Sequence, residues 1–552
     1  MPDKKRKEAS ATDLKRRNLL KTAITGGVVA AAFPSLAKGN VPAIATPRSE
    51  KFDLEEISVP ELQEGMKSGK YTSRTIVEKY LARIDAIDKG GPAINSMIEV
   101  NPDALKIADE LDKERKDKGP RGPMHGVPVV IKDNIATADS MMTTAGSLAL
   151  VGSKPAEDSF VVRQLRKSGA IILGKTNLSE WANMRSTHST SGWSGRGGLT
   201  KNPYALDRNT SGSSSGSGAA ASANLSAVAV GTETDGSIVS PSSLNGIVGI
   251  KPTVGLVSRT GIIPISHSQD TSGPMARSVG DAAILLGAMV GVDSSDPATR
   301  ASRGKYHTDY TKFLNPAGLK GARIGVVRAL FGFLPQVDDV INESVEVMKK
   351  NGAVVIDPVE IKTLGKWGDA EETVLEYELK ADMKKYLEWV GPNAKMHSLA
   401  DLIRFNEDNK NTEMPYFGQE LFLKAEANGP LTDKKYIDAR AKCIRLARKE
   451  GIDATMKKHR LDALVSPTDA PAWMTDLVDG DHFLGGSSSP AAVAGYPHIT
   501  VPAGSVFGLP IGVSFFGMAW TEPKLIGIAY SFEQATRARR APKFLSTADL
   551  KV

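Results

Sequence analysis

The chain has 552 residues and a mass of 58.8 kDa, which suits several domains or one large α/β enzyme. Its composition, 41% hydrophobic and 24% charged with a single cysteine, excludes collagen-like and disordered proteins, internal disulfides and metal sites built from cysteines. The net charge is +7, but eight basic and three acidic residues place +5 of it within residues 1–21. The remaining +2 is too little to bind a polyanion, so we predict no nucleic-acid partner.

The first forty residues carry an export pattern. Arg16 and Arg17 precede an uncharged run, residues 22–37, that ends in Ser35-Leu36-Ala37, a small-x-small cleavage pattern. This order resembles a twin-arginine signal peptide, which we predict over residues 1–37. The run is shorter than the roughly 20 apolar residues of a membrane span. We therefore predict no stable membrane anchor, transient contact with the twin-arginine export machinery, and a periplasmic or secreted protein.

Two other interpretations of this segment stay open. It also fits a disordered basic tail, or a nuclear signal at residues 4–7. A second cleavage pattern ending at Ala45 leaves the start of the mature protein open.

Apolar, strand-like runs recur along the rest of the chain. They lie at residues 127–131, 170–173, 227–230, 247–250, 324–327, 353–356, 463–465 and 511–516. Helical periodicity lies between several of them, at residues 158–167, 279–289, 337–350 and 436–458. Strands of this kind alternating with helices predict a sheet that is buried on both faces. Since no linker divides the pattern, we predict a single domain over residues 51–540.

Two glycine-containing motifs match known patterns but fail on context. Residues 169–176 match the P-loop, yet their variable positions, Ala-Ile-Ile-Leu, form a predicted strand and cannot cradle a phosphate. Residues 212–216 match the Gly-x-Ser-x-Gly nucleophile elbow, which makes Ser214 the nucleophile of an α/β-hydrolase esterase. That elbow follows a buried strand, whereas residues 204–211 are mostly polar, so the esterase is the rival enzyme. Histidine and carboxylate spacings indicate no metal site.

One group of segments indicates chemistry. A Ser/Gly-rich segment, residues 209–222, precedes a predicted strand and then a turn, and Glu233 and Asp235 are the only charges between residues 209 and 250. Small residues let backbone amides approach a ligand closely; the other interpretation is a flexible linker. Upstream, Lys132 follows an apolar strand. It is either a surface lysine or a desolvated amine whose lowered pKa suits a general base.

Taken in order, these segments resemble the amidase signature family. The matching motifs are the strand ending in Lys132-Asp133, the Ser/Gly run at residues 212–218, the turn ending in Gly236-Ser237-Ile238, and residues 246–253 and 273–277. The resemblance covers residues 51–540 and implies the family's α/β fold, a large mixed twisted β-sheet covered by helices on both faces. It also implies a serine amidohydrolase that needs no metal or organic cofactor.

The resemblance further implies a Ser-cisSer-Lys triad. Ser237 maps to the nucleophile, Ser213 to the bridging serine and Lys132 to the base. A neutral Lys132 takes a proton from Ser213 as Ser213 takes one from Ser237. The implied supporting groups are the Thr232 hydroxyl and an oxyanion hole formed by the backbone amides of Thr234, Asp235, Gly236 and Ser237.

The chain departs from the commonest family pattern at two positions. Asp235 stands where glycine is usual, and Ser240 stands where arginine is common. Both departures are similar to the peptide amidase branch, which hydrolyses the C-terminal carboxamides of peptides. We therefore predict hydrolysis of amide C–N bonds, with peptide amides as substrates.

Several alternatives differ in substrate or in class. Aryl and fatty acylamides are the alternative substrates. The export pattern and the small charge disfavour the transamidase subunit that acts on charged tRNA. If the triad is inactive, the alternative from a different class is a noncatalytic binding protein.

Overall fold

A mixed β-sheet of eleven strands forms the centre of the computed structural model, which describes residues 52–550. The signal peptide predicted for residues 1–37 lies outside the described residues, and the domain limits stay a prediction. The strands are β1 (Met97–Val100), β2 (Pro128–Lys132), β3 (Ile171–Thr176), β4 (Trp193–Ser194), β5 (Gly198–Leu199), β6 (Val228–Glu233), β7 (Val248–Lys251), β8 (Thr271–Ala276), β9 (Arg323–Val326), β10 (Val354–Ile356), β11 (Ala463–Pro467), β12 (His498–Val506) and β13 (Leu509–Phe516).

The helices lie between these strands and around them. They are α1 (Val59–Lys67), α2 (Ser73–Arg83), α3 (Ala104–Lys118), α4 (Phe160–Lys167), α5 (Ser215–Ser222), α6 (Val239–Leu244), α7 (Val279–Met289), α8 (Pro335–Lys350), α9 (Gly368–Val390), α10 (Leu399–Asp408), α11 (Lys410–Glu413), α12 (Glu420–Ala427), α13 (Lys434–Cys443), α14 (Asp453–His459), α15 (Ser489–Ala494) and α16 (Glu522–Thr536). None of the helices between residues 52 and 550 combines the length and the apolar composition of a membrane span.

The strand order of the sheet is β1-β3-β2-β6-β8-β7-β12-β13-β11-β9-β10, and β4 and β5 form a separate pair. Strands β3, β2 and β6 run parallel to one another, as do β11, β9 and β10. The strands between these two groups pair antiparallel. The sheet is therefore mixed, as the family resemblance implies.

The central strands are buried on both faces. Every residue of β2, β3, β6, β7, β8, β11 and β13 is buried. Because successive side chains of a strand point to opposite faces, complete burial requires cover on both sides of the sheet. Helices provide that cover, which confirms the predicted fold class.

Each of the eight predicted strands overlaps a strand of the structure, but one predicted helix needed correction and the strand β8 was missed. The helix predicted over residues 436–458 is α13, a π-helical stretch at Ile444–Ile452, and α14. The segment Thr271–Ala276, which carries no apolar run, is the central strand β8. Its neighbours β6 and β7 supply the apolar side chains around it.

The Ser/Gly-rich segment is neither a linker nor, over most of its length, a ligand-binding loop. It forms α5, all eight residues of which are buried. A Cβ atom at Gly216 would lie 2.7 Å from the backbone nitrogen of Asn177. Small side chains are therefore required because α5 packs directly against a neighbouring backbone.

The residues that match the P-loop pattern lie in a buried strand, where they cannot form a phosphate-binding loop. Residues Ile171–Thr176 form β3 and are buried throughout. The Lys175 Nζ atom donates hydrogen bonds to the Ile135 carbonyl and the Thr143 hydroxyl, at 2.7 and 2.8 Å. The prediction of a strand at this motif is confirmed.

Candidate active site

The candidate site lies at one edge of the sheet, where two parallel strands end together. Lys132 is the last residue of β2, and β6 runs beside it with Ile131 paired to Val230. Because the two strands are parallel, their carboxyl ends meet at the same edge. The chain leaves β6 at Glu233 and enters a turn that carries Ser237.

Hydrogen bonds join the three predicted catalytic residues in one line. The Lys132 Nζ atom lies 2.7 Å from the Ser213 Oγ atom, which lies 2.9 Å from the Ser237 Oγ atom. Lys132 and Ser213 are fully buried, whereas Ser237 is 8% exposed. The peptide bond between Gly212 and Ser213 is cis. The line therefore begins at a buried amine and ends at a hydroxyl that can be reached from outside.

The Lys132 amine is held by oxygen atoms and contacts no carboxylate in the described part of the chain. Besides Ser213, its partners are the Thr232 hydroxyl at 3.0 Å and the Thr232 carbonyl at 3.3 Å. Burial lowers the pKa of Lys132 to about 7, against the charges of Asp270 and Glu233, which raise it. Burial has this direction because it disfavours the charged form of an amine. A large fraction of the lysine is thus neutral near pH 7.

The turn after β6 presents backbone amides beside the Ser237 hydroxyl. The amides of Asp235, Gly236 and Ser237 donate no hydrogen bond to any acceptor in residues 52–550. Gly236 has a φ of +80°, in the left-handed region that glycine adopts without strain. The Glu233 carboxylate accepts from the next two amides, Ile238 and Val239, at 2.8 and 3.0 Å. This carboxylate fixes one end of the turn, and the three preceding amides keep their donors free within residues 52–550.

Thr234 and Thr232 contact side chains that sequence reasoning missed. The Thr234 hydroxyl donates to the Asp270 carboxylate at 2.6 Å, and the Asn134 amide donates to the Thr232 hydroxyl at 2.9 Å. Asn134 directly follows the Lys132-Asp133 motif, and this position in the sequence could have identified it as a site residue. Asp270 lies outside every motif, so it could be found only from the fold.

Ser214, the nucleophile of the rival esterase, is in the wrong place for that role. Its side chain is fully buried, and its Oγ atom hydrogen-bonds the backbone carbonyl and amide of Thr232 at 3.0 and 3.2 Å. The residues before it form no strand, so the elbow geometry is absent at this motif. The structure gives the esterase alternative no support.

Two cavities adjoin the site, and Ala182 lines both. A cavity of about 240 Å³ holds Ser237 and is lined by Asp235, Ser240, Asp469 and Trp473 among others. A larger cavity of about 320 Å³ is lined by Thr232, Thr234 and Asp270 and by apolar side chains including Ile263, Ile265, Tyr386 and Trp389. Together they offer space next to the turn that carries Ser237.

Ser240, at the position where the family commonly has arginine, is held by hydroxyl and carboxyl groups. Its Oγ atom donates to Asp469 and lies 2.6 Å from the Ser211 Oγ atom. Burial raises the pKa of Asp469 to about 7. This wall of the smaller cavity is therefore polar without a basic group.

Known proteins share both the sequence and the fold. The family model described as Amidase matches residues 75–526. The native peptide amidase from Stenotrophomonas maltophilia has 52% sequence identity and a TM-score of 0.86, over 89% of this chain and 99% of that chain. A probable amidase of Arabidopsis thaliana is 43% identical over 507 residues, which cover 90% of this chain and 93% of that protein.

A more distant relative has a different described role. It is a glutamyl-tRNA(Gln) amidotransferase protein of Thermoanaerobacter pseudethanolicus, 32% identical over 511 residues, which cover 90% of this chain and 100% of that protein. From the extent of the family match and the 52% identity to a solved peptide amidase, the chain belongs to the amidase signature family of amide-hydrolysing enzymes and resembles its peptide amidase branch.

Proposed function

We propose that the chain hydrolyses C-terminal carboxamides of peptides through a Ser237–Ser213–Lys132 triad. The observation that carries this proposal is the unbroken line of hydrogen bonds from the buried Lys132 amine to the Ser237 hydroxyl, at 2.7 and 2.9 Å. Both distances lie within the range over which a general base takes a proton from a nucleophile.

The proposed first step forms an ester on Ser237. The Ser237 Oγ atom attacks the amide carbon while its proton passes to Ser213, and the Ser213 proton passes to the neutral Lys132 amine. The protons then return along the same path to the nitrogen of the substrate, the C–N bond breaks, and ammonia leaves. Water attacks the ester by the same proton path, which releases the acid and restores Ser237.

The amides of Asp235, Gly236 and Ser237 are the proposed oxyanion hole, with the Thr234 amide at its edge. In the tetrahedral state the carbonyl oxygen becomes negative, and backbone donors already in place stabilise it without reorganisation. Removing one such donor typically slows an enzyme by about a hundredfold to a thousandfold. Thr232, which holds the Lys132 amine through two oxygen atoms, supports the base.

The choice of peptide amides rests on similarity together with the space around Ser237. The solved relative with 52% identity is a peptide amidase. The two adjoining cavities have apolar walls and enough space for a peptide backbone next to Ser237. The apolar walls also fit aryl and fatty acylamides, which are therefore included in the test.

Ammonia or amine release is measured with purified protein and three substrate classes: amidated peptides, anilides and long-chain amides. Amidated peptides are expected to give the highest kcat/KM. Ser237→Ala, Ser213→Ala and Lys132→Ala are each expected to lose at least about a thousandfold in kcat. Ser214→Ala is the matched control, since its hydroxyl contacts only backbone, and it is expected to keep at least about a tenth of kcat. Loss of activity in Ser214→Ala alone would contradict the triad.

We also propose that the protein is exported, without a stable membrane anchor or a nucleic-acid partner. The twin-arginine pattern at residues 15–37 and the charge of only +2 after residue 37 support this proposal. A fusion of residues 1–50 to a folded reporter is expected to reach the periplasm only with Arg16 and Arg17 intact. A reporter that stays in the cytoplasm would contradict export.

A further inference from the structure

A pair of carboxyl groups meets at the turn of residues 234–237, which carries the proposed oxyanion hole and is called the oxyanion turn below. Asp235 lies in this turn, and its carboxyl group lies beside the carboxyl group of Glu371 near the start of α9. The Asp235 Oδ1 atom is buried and accepts no hydrogen bond from a conventional donor in residues 52–550. The Gln269 amide donates to Glu371 Oε1 at 2.9 Å and to the Thr234 carbonyl at 3.3 Å. Two carboxyl groups thus contact each other, with one oxygen lacking any other partner.

The surroundings of the pair do not neutralise two negative charges. The charge of Lys251, at the end of β7, lowers the pKa of Asp235. Lys251 also interacts with the carboxylates of Glu233 and Glu522, so its single charge is shared among three carboxyl groups. The other titratable groups facing the pair are Glu233, which is acidic, and the buried Cys443 thiol of α13. Ser488 and Ser489 lie beside Asp235 and add no charge. Two adjacent carboxyls in such a place cannot both ionise without a large cost.

We propose that Asp235 and Glu371 share one proton, and that this acid–carboxylate hydrogen bond holds the oxyanion turn in its active position. Both residues are positioning residues: Glu371 lines neither cavity, and Asp235 acts here through its side chain. The effect on catalysis rests on the proposed function, whereas the shared proton itself does not.

The pKa shifts agree with this geometry. Burial and then the neighbouring Asp235 charge raise the pKa of Glu371 well above its ordinary value, and burial raises the pKa of Asp235. As pH rises far enough to remove the shared proton, two negative charges face each other, and the turn is expected to move away from α9. Activity is therefore expected to fall at alkaline pH.

The pair also links the turn to the wall of the substrate cavity. Helix α9 is 23 residues long, and its later residues Asp382, Lys385, Tyr386 and Trp389 line the larger cavity. Glu371 is on the same helix. The shared proton thus joins the element that surrounds the substrate to the element that binds the oxyanion.

The test compares Glu371→Gln, Glu371→Ala and a matched control, Glu372→Gln. Gln keeps a hydrogen-bond donor for Asp235 but cannot ionise. Glu372 is the adjacent residue, exposed and paired with Lys424. The rate of ammonia release from an amidated peptide is measured from about pH 5.5 to about pH 10.

Glu371→Gln is expected to keep kcat within about threefold at neutral pH and to move the alkaline fall upward by more than about one pH unit. Glu371→Ala is expected to lose about tenfold in kcat, a fraction of the effect of losing an oxyanion donor, with KM within about twofold. Glu372→Gln is expected to match the natural protein. An alkaline fall that is the same in Glu371→Gln and the natural protein would overturn the proposal.

A second measurement does not depend on activity. The folded pair holds a proton that unfolded carboxyls release above their ordinary pKa, so its contribution to stability is present at low pH and is lost as pH rises through the raised pKa. The Tm of the natural protein, relative to that of Glu371→Gln, is therefore expected to fall between about pH 5 and about pH 9. A constant difference in Tm overturns the shared proton even if the protein is an amidase. A falling difference in a protein that releases no ammonia would contradict the proposed function alone.

Discussion

Replacing Lys132 with methionine is expected to abolish activity while leaving the protein as stable as before, or more stable, at neutral pH. Methionine has a similar shape and no charge. Burial lowers the pKa of Lys132 from 10.5 to about 7, a shift worth about 5 kcal/mol between its two protonation states. Of this, about 4 kcal/mol destabilises the folded protein at pH 7, because an unfolded lysine there is fully protonated.

The substitution also removes favourable contacts. The amine makes three hydrogen bonds, to Ser213 and to two oxygen atoms of Thr232, each worth about 1 kcal/mol. The expected net change is a gain of about 1 kcal/mol in the free energy of unfolding at pH 7. Loss of the base is expected to lower kcat by at least about a thousandfold.

The sign of the pH dependence makes this prediction specific. A lysine with a lowered folded pKa destabilises the protein fully below that pKa, and the effect fades as pH rises toward the unfolded pKa. The difference in stability between Lys132→Met and the natural protein is therefore expected to fall by about 3 kcal/mol between about pH 6 and about pH 9.5, so that the variant becomes the less stable protein at alkaline pH. Urea unfolding at several pH values measures it. An advantage that does not change with pH would show that Lys132 keeps an ordinary pKa and would refute this reasoning.

Lys175→Met is the matched control. Lys175 is also fully buried at the end of a neighbouring strand, and burial lowers its pKa to about 8. Its amine contacts Ile135 and Thr143 and neither serine of the proposed triad. This variant is expected to show a similar pH dependence of stability and to keep kcat within about tenfold.

Three further predictions concern the site and its walls. The value of kcat/KM is expected to rise with pH through about 7, as Lys132 with its pKa of about 7 loses its proton; a flat profile of ammonia release would contradict this role. Gly236→Ala places a side chain at a φ of +80°, which costs about 1–2 kcal/mol, and the strained turn is expected to lower kcat by about tenfold or more with little change in KM. Ser240→Ala removes a donor to Asp469, whose pKa is about 7. It is expected to destabilise the protein by about 2 kcal/mol near pH 8, where the carboxyl is ionised, and by less near pH 6; equal losses in urea unfolding at both pH values would count against it.

Much of the sheet and the side chains of the proposed triad could be predicted from local sequence. Buried strands such as β2 and β6 are continuous apolar runs, because both of their faces are covered. Lys132, Ser213 and Ser237 were predicted because each lies in a short motif that the family resemblance covers. The strand β8 escaped prediction since Gly273 and Pro274 interrupt any apolar pattern there.

Only the tertiary structure decided how these residues act together. Lys132 and Ser213 are 81 positions apart in the chain and 2.7 Å apart in space. The lowered pKa of Lys132 is a property of complete burial, which depends on every element packed around it. Asp270 and Glu371 lie outside every motif; Asp270 directly precedes β8 and Glu371 lies on α9, and the packing of these elements places both residues beside the turn. Sequence therefore determined which chemical groups are available, whereas packing decided their distances and protonation, since both depend on neighbours that are remote along the chain.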